Sequence, residues 1–325
     1  MMKTFLALAL SMVCGVSAAS AATHWPNGAK AAVVLTYDDA LGSQLEHAIP
    51  ALDTAGFKGT FFLAGVKVAD VPRWRAAAAA GHELANHTIF HPCPASVFPT
   101  DPRYTSEAYT PESVLKEIEQ QNVLLTALDG KPTHGFASPC GQTMAGGVDY
   151  LEALRASKLV TYVRGVYTSP EDLRANVAKM DPMHVPARGF DEKVTGAQLI
   201  EFAKQAQAGG GMAVYLFHGV GGDYLQVSDS AHRELIAWLA AHRSEVWVTT
   251  LQGALDWAKA DALREARRGG AGAPQKLVTP AAASDRQGGA WRDLVANEPS
   301  PSPGLVFITH TNRSLMVRVD DWRGC

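Results

Sequence analysis

Cysteine is scarce in this chain: 325 residues contain four, at positions 14, 93, 140 and 325, with no Cys-x-x-Cys pair among them. That spacing excludes a cysteine-ligated structural zinc and a thioredoxin-like redox motif, so any metal must be held by histidine and carboxylate. Long hydrophobic runs are lacking too. The apolar stretch Phe5–Val16 stops short of the roughly 20 residues that span a bilayer, and no later stretch comes closer. There is no basic block: 29 Lys plus Arg stand against 32 Asp plus Glu, for a net charge of −3. Nucleic acid is therefore not an expected partner. With 19% charged and 47% apolar residues, wholesale disorder is excluded as well.

The first residues read as a secretory signal. Lys3 precedes the apolar run, and Ser17–Ala22 supplies the small residues of a cleavage site near Ala21. Val13 stands before Cys14, where a lipoprotein signal has a small residue, so a cleaved signal over 1–21 is expected rather than a lipid anchor. The mature chain is then exported, periplasmic or secreted. An oxidising compartment permits disulfides, and the three remaining cysteines leave one free.

From Ala31 to about Lys259 short β-rich runs alternate with longer amphipathic stretches. Strands are expected at Ala31–Tyr37, Thr60–Leu63, Glu83–Asn86, Thr133–Ala137, Leu159–Arg164, His184–Pro186, Ala213–Phe217 and Val246–Thr249. Helices are expected at Ser43–Leu52, Val71–Ala79, Pro111–Leu128, Val148–Ala156, Pro170–Met180, Ala197–Gln207, Asp229–His242 and Leu251–Lys259. Such alternation builds a parallel sheet, and seven or eight strands favour an α/β barrel over an open sheet. The composition then shifts to Gly, Ala, Pro and Ser, so the domain is expected over 22–262, followed by a linker and weakly ordered tail over 263–325. In that tail Leu305–Thr311 and Ser314–Val319 are candidate paired strands.

Three places carry chemistry. Asp38 and Asp39 close the first strand, where α/β enzymes build active sites; two adjacent carboxylates imply a positive charge nearby, although a strand-end turn with one helix-capping Asp fits equally. His87 and His91 are four residues apart, which on one helical turn places both imidazoles on one face at metal-ligand separation, with ordinary histidines as the alternative. Joined by a strand-end Asp, they form a two-His, one-carboxylate set with open positions, which marks a catalytic site. His82-Glu83 precedes His87 out of register for a metalloprotease helix. His218 ends an apolar strand before a glycine-rich loop, a position open to a structural as well as a catalytic role. Asn86-His87-Thr88 matches a glycosylation sequon, but a glycan there would obstruct the site.

Thr36-Tyr37-Asp38-Asp39-Ala40, His87-Thr88-x-x-His91-Pro92, Phe136-Ala137-Ser138-Pro139-Cys140-Gly141 and Leu216-Phe217-His218 resemble, in order, the motifs of the polysaccharide deacetylases, the NodB-like carbohydrate esterases. The resemblance spans roughly residues 30–258. It implies a distorted (β/α) barrel and metal-assisted removal of acetyl groups from a glycan. Asp39, His87 and His91 would hold one divalent ion, zinc by ligand preference with cobalt or iron fitting the same set. Asp38 would be the general base, His218 the general acid, and Leu216 part of the acetyl pocket. Acetylated polysaccharide is the implied partner, with no obligate protein partner. N-deacetylation of N-acetylglucosamine-type glycan is the first reading, with O-acetyl ester hydrolysis on xylan or a non-catalytic glycan-binding barrel as alternatives.

The third motif departs from the family's Arg-x-Pro-Tyr-Gly: Ala137 stands where the base-pairing arginine would be, and Cys140 replaces the tyrosine, beside Pro139 in the expected substrate wall. Arg164 is the candidate replacement cation. Cys93 follows the second motif directly, so Cys93 and Cys140 should both border the site and are expected to form a disulfide, with two buried thiols as the alternative. Of the rim aromatics, Tyr224 is the candidate for stacking on a sugar face.

Overall fold

The structure is a computed structural model and describes residues 23–98, 100–270, 309–310 and 313–314. The chain separates into two compact units, residues 1–273 and 274–325. The expected signal segment, Cys14, Cys325 and most of the tail lie outside the described residues.

In the first unit the strands are β1 (Ala31–Asp38), β2 (Thr60–Leu63), β3 (Glu83–Asn86), β4 (Phe136–Ala137), β5 (Met144–Ala145), β6 (Val148–Asp149), β7 (Val163–Arg164), β8 (Arg188–Gly189), β9 (Met212–Phe217) and β10 (Val246–Thr249). The helices are α1 (Ile49–Thr54), α2 (Val71–Ala79), α3 (Pro111–Asp129), α4 (Leu151–Ser157), α5 (Gly196–Gly209), α6 (Asp229–Ala241) and α7 (Leu251–Gly270). The main sheet runs β7-β4-β3-β2-β1-β9-β8, every pair parallel. One edge of β1 is shared: β10 pairs with its first half, Ala31 to Val34, and β2 with Thr36 to Asp38. A single stretch closes the curl. Val185 bridges Arg164 of β7, and three residues later Arg188 pairs with Tyr215 of β9. The result is the distorted (β/α) barrel expected.

β1 is buried along its whole length, as an unbroken apolar run in a parallel sheet should be. Its residues alternate: Ala32 and Val34 face the barrel interior with Phe62, Ala85, Ala137, Tyr162, Ala187 and Leu216. Ala31, Val33 and Leu35 face the helix layer, against residues such as Leu199, Phe202 and Leu235. α3 starts and stops where its sequence says. Thr110 and Ser113 form a capping box, Pro111 takes the first turn, and Gly130 ends it with φ 73°, a conformation that suits glycine.

Several expected elements are corrected. Residues 170–180 form no α-helix but two 3₁₀ turns, Asp172–Arg174 and Val177–Lys179. Asp172 Oδ2 accepts from Ser169 N–H and Asn176 Oδ1 from Ala178 N–H, local bonds that compete with a continuous helix. The helix expected from Val148 starts at Leu151, because Val148–Asp149 pairs with Met144–Ala145 across Gly146-Gly147, a two-glycine hairpin turn. The strand expected at His184–Pro186 reduces to the Val185 bridge, with pairing resuming at Arg188; Pro186 has no N–H to give a ladder. The strands expected at Thr133–Ala137 and Leu159–Arg164 keep only their last two residues. The helix expected at Ser43–Leu52 opens as a π turn over Gln44–Ala48, and α7 continues past Lys259 to Gly270.

Of the second unit, β11 (Thr309–His310) and β12 (Arg313–Ser314) are described, paired antiparallel with Thr309 opposite Ser314. The rest of both expected tail strands lies outside the described residues.

Candidate active site

At the C-terminal ends of β1, β3, β4, β7 and β9 a cavity of about 560 Å³ opens, lined by Asp38, Asp39, His87, His91, Arg164, Leu216, His218, Cys140 and Tyr224 among others. The loops that build it depart from easy backbone geometry. Asp39, Ala40, Thr88, His91, Cys140, Asp223 and Leu225 all have positive φ. Each such non-glycine residue costs about 1–3 kcal/mol, a strain that typically clusters at functional sites.

His87 and His91 do not share a helical turn; they sit on an irregular loop after β3. Thr88 at φ 62° and His91 at φ 53° break any helix. The turn is held by side chains: Asn86 Oδ1 accepts from Thr88 N–H at 2.8 Å, and Thr88 Oγ1 from His91 N–H at 3.0 Å. Asn86 is fully buried, its amide nitrogen bonded to Ile118 O and Asn122 Oδ1, so the sequon is occupied by structure. The imidazoles still converge, with the Nε2 atoms 3.1 Å apart.

Asp39 completes the triangle. Its Oδ1 lies 3.4 Å from His87 Nε2 and 3.5 Å from His91 Nε2. Ligand atoms about 2.0–2.1 Å from a tetrahedral ion stand about 3.3 Å from one another, so the three edges match one face of such a coordination sphere. Both imidazoles are held at a pKa of about 4, His87 by burial, and His91 by burial and then by His87. Their nitrogens are thus neutral lone pairs at neutral pH, as cation binding requires. The outer nitrogen of His87 is fixed by Ala137 O at 2.7 Å.

Asp38 points elsewhere from its neighbour. Arg164, fully buried, donates from Nη2 to both Asp38 oxygens, at 2.6 Å to Oδ1. The guanidinium lies over the Phe62 ring, 4.8 Å from its centroid. Burial alone would raise the Asp38 pKa, but Arg164, with help from His87 and His218, outweighs it and holds the carboxyl below its ordinary value. The cation beside Asp38 thus comes from β7, which pairs with β4 in the sheet. His218 stands across the triangle, Nε2 3.8 Å from Asp39 Oδ2, and opens to the cavity.

Leu216 is buried on the cavity floor. Tyr224 is half exposed, but its hydroxyl donates to Asp39 Oδ2 at 2.5 Å, and its ring sits 6.0 Å from that of His218; it touches the carboxylate as well as the cavity. Cys140 lines the cavity and is disulfide-bonded to Cys93, with Cα atoms 5.6 Å apart. Pro139 is buried and is not among the residues that line the cavity. Trp25 sits away from the rim, its indole N–H donating to Gly210 O.

Gln44 belongs to none of the sequence motifs. Fully buried, it donates from Nε2 to Asp38 O at 2.5 Å and His218 O at 3.0 Å, stitching together the ends of β1 and β9. A glutamine near a helix start reads as an ordinary first-turn residue, so only the fold discloses this role.

Residues 26–157 match the family model described as polysaccharide deacetylase. Among solved structures, the chain is similar to a Mycobacterium smegmatis protein whose name assigns it provisionally to the polysaccharide deacetylases, at 20% identity over 75% of this chain and 95% of that one, with a TM-score of 0.54. It is also similar to the peptidoglycan deacetylase PdaC of Bacillus subtilis, at 19% identity over 73% of this chain and 96% of that one, with a TM-score of 0.49. At such identities the likeness concerns the fold. No curated protein matches the chain.

Proposed function

We propose, from the match of residues 26–157 to the polysaccharide deacetylase family model and from the geometry of the site, that this chain is an exported, metal-dependent hydrolase that removes acetyl groups from a glycan, with N-acetylglucosamine-type amides as the preferred substrate. The observation that carries the reading is the Asp39–His87–His91 triangle, with edges of 3.1, 3.4 and 3.5 Å, lying between an arginine-paired aspartate and a histidine. A divalent ion held by those three side chains supplies Lewis-acid polarisation of the acyl carbonyl and a more acidic water. Zinc suits two imidazoles and a carboxylate.

The chain's own residues supply the proton transfers. Asp38, kept ionised by Arg164, accepts the proton of the attacking water as its oxygen bonds to the acyl carbon. His218, on the other side of the triangle, delivers a proton to the leaving nitrogen as the carbon–nitrogen bond breaks, giving acetate and a free amine. Leu216 offers the acetyl methyl an apolar floor, and Cys140 and Tyr224 flank the sugar. Gln44 keeps base and acid strands in register. The domain organisation proposed is a signal over 1–21 and a deacetylase domain from residue 22 whose last helix, α7, runs past residue 262 to Gly270 before the tail; among the described residues no helix is long and apolar enough to cross a membrane.

The test is acetate release from chitooligosaccharides, peptidoglycan and acetyl-xylan. Release from the amide substrates supports the reading, release from xylan alone moves it to an esterase, and no release from any overturns it.

A further inference from the structure

The two imidazoles of the triangle are supported unequally. His87 has its outer nitrogen on a backbone carbonyl, Ala137 O at 2.7 Å. The outer nitrogen of His91 faces a sulfur, Cys93 Sγ at 3.4 Å. That sulfur is half of the Cys93–Cys140 disulfide, and Cys140 lies three residues beyond Ala137. One segment, Ala137–Cys140, therefore reaches both imidazoles, one by its carbonyl and the other through the disulfide.

We propose that the Cys93–Cys140 disulfide positions His91, so that the divalent-cation affinity of the Asp39–His87–His91 site falls when this bond is reduced. The inference rests on the metal-centre reading of the site. His91 needs such support. Its backbone sits in the left-handed region at φ 53°, where a non-glycine residue is disfavoured, and its side chain is partly exposed, unlike that of His87. Cys140 shares the strain, with φ 52°. The bond thus ties two strained loops together beside the ligand. Partners of a ligating histidine's outer nitrogen fix its ring orientation, and their removal typically costs about 10–100-fold in metal affinity.

Cys140 is exposed on the cavity wall while Cys93 is buried, so a reductant reaches the pair at Cys140. A phosphine or dithiol supplies two electrons, two protons complete the two thiols, and the reductant is oxidised. Cys93 Sγ is then free to rotate away from His91. The centre becomes sensitive to the thiol–disulfide poise of its compartment.

The experiment measures zinc affinity of the full chain by competition with a chromophoric chelator, in the oxidised protein, after phosphine reduction, and in Cys93→Ala/Cys140→Ala. We expect about 10-fold or greater weakening in the last two, with near-UV circular dichroism retained. Should the double variant fail to fold, the reduced wild-type protein carries the comparison. Unchanged affinity after reduction overturns the coupling, as does a thiolate-to-cobalt charge-transfer band in the reduced cobalt-loaded protein, because the cysteines would then be ligands. Oxidised protein that binds no zinc overturns the metal centre itself, a distinguishable result.

Discussion

Arg164 and Asp38 are 126 residues apart in sequence and form a buried ion pair at the heart of the cavity, the guanidinium nitrogen donating to both carboxylate oxygens. Each is at the C-terminal end of a strand, β7 and β1, and the interior of the barrel brings them together. The pairing keeps a buried carboxylate ionised beside two imidazoles.

Arg164→Ala should leave Asp38 buried and unpaired. Breaking a buried pair on one side costs about 3–5 kcal/mol, measurable by denaturant unfolding. The base should also change: without Arg164, burial prevails and the Asp38 pKa rises, so the acidic limb of the activity profile moves to higher pH. Unchanged turnover and an unchanged profile would remove Arg164 from the base's support.

Gln44→Ala removes two buried side-chain donations, to Asp38 O and His218 O. At roughly 1 kcal/mol net per hydrogen bond, stability should drop by about 2 kcal/mol. Because the stitched strands carry the proposed base and acid, kcat should fall at least several-fold with KM nearly constant. A change confined to KM would contradict the positioning role.

Much of this was readable beforehand, and the reasons are local. β2, β3 and β10 match to the residue, and β1 and β9 to within one; β1, β2 and β9 are buried throughout and show as largely apolar runs, whereas β10 shows through its β-branched and aromatic residues. α2 is likewise matched, and α3 to within one residue through its caps. Residues 170–180 misled because Leu173 and Val177 are both buried at helical spacing, while side-chain bonds from Asp172 and Asn176 break the backbone between them. At the site, residue types and order pointed to Asp38, Asp39, His87, His91 and His218, and the fold gathers all five. His87 and His91 meet through a loop and not a helical turn, since four-residue spacing says nothing of the positive φ at Thr88. Gln44 and the bond from Tyr224 to Asp39 depend on distant loops meeting, which no local pattern encodes.

Tyr224→Phe separates two roles for that ring. It keeps the stacking surface but deletes the hydroxyl donated to Asp39 Oδ2. Zinc affinity should fall about 10-fold or more while KM for the glycan stays within a factor of two or so of wild type. A raised KM with intact zinc affinity would make Tyr224 a sugar contact alone.

His232 predicts an acid sensitivity away from the site. It is fully buried against the Tyr37 hydroxyl at 2.7 Å, and burial lowers its pKa from 6.5 to about 4. The unfolded chain binds this proton below pH 6.5 and the folded chain does not until about pH 4. Its contribution is thus fully present above pH 6.5 and is lost as pH falls toward 4, on the order of 3 kcal/mol at about 1.4 kcal/mol per unit. Unfolding free energies at pH 7 and pH 4.5 should differ by less in His232→Gln than in wild type; equal differences would exclude the histidine.

The most direct measurement is a zinc titration of acetate release from an N-acetylglucosamine oligomer, using protein stripped by chelator, in wild type and in His87→Ala/His91→Ala. The account predicts no release without metal, full recovery at one equivalent of zinc in wild type, and no recovery in the variant. Release that persists without metal, or returns in the variant with one equivalent, would contradict it.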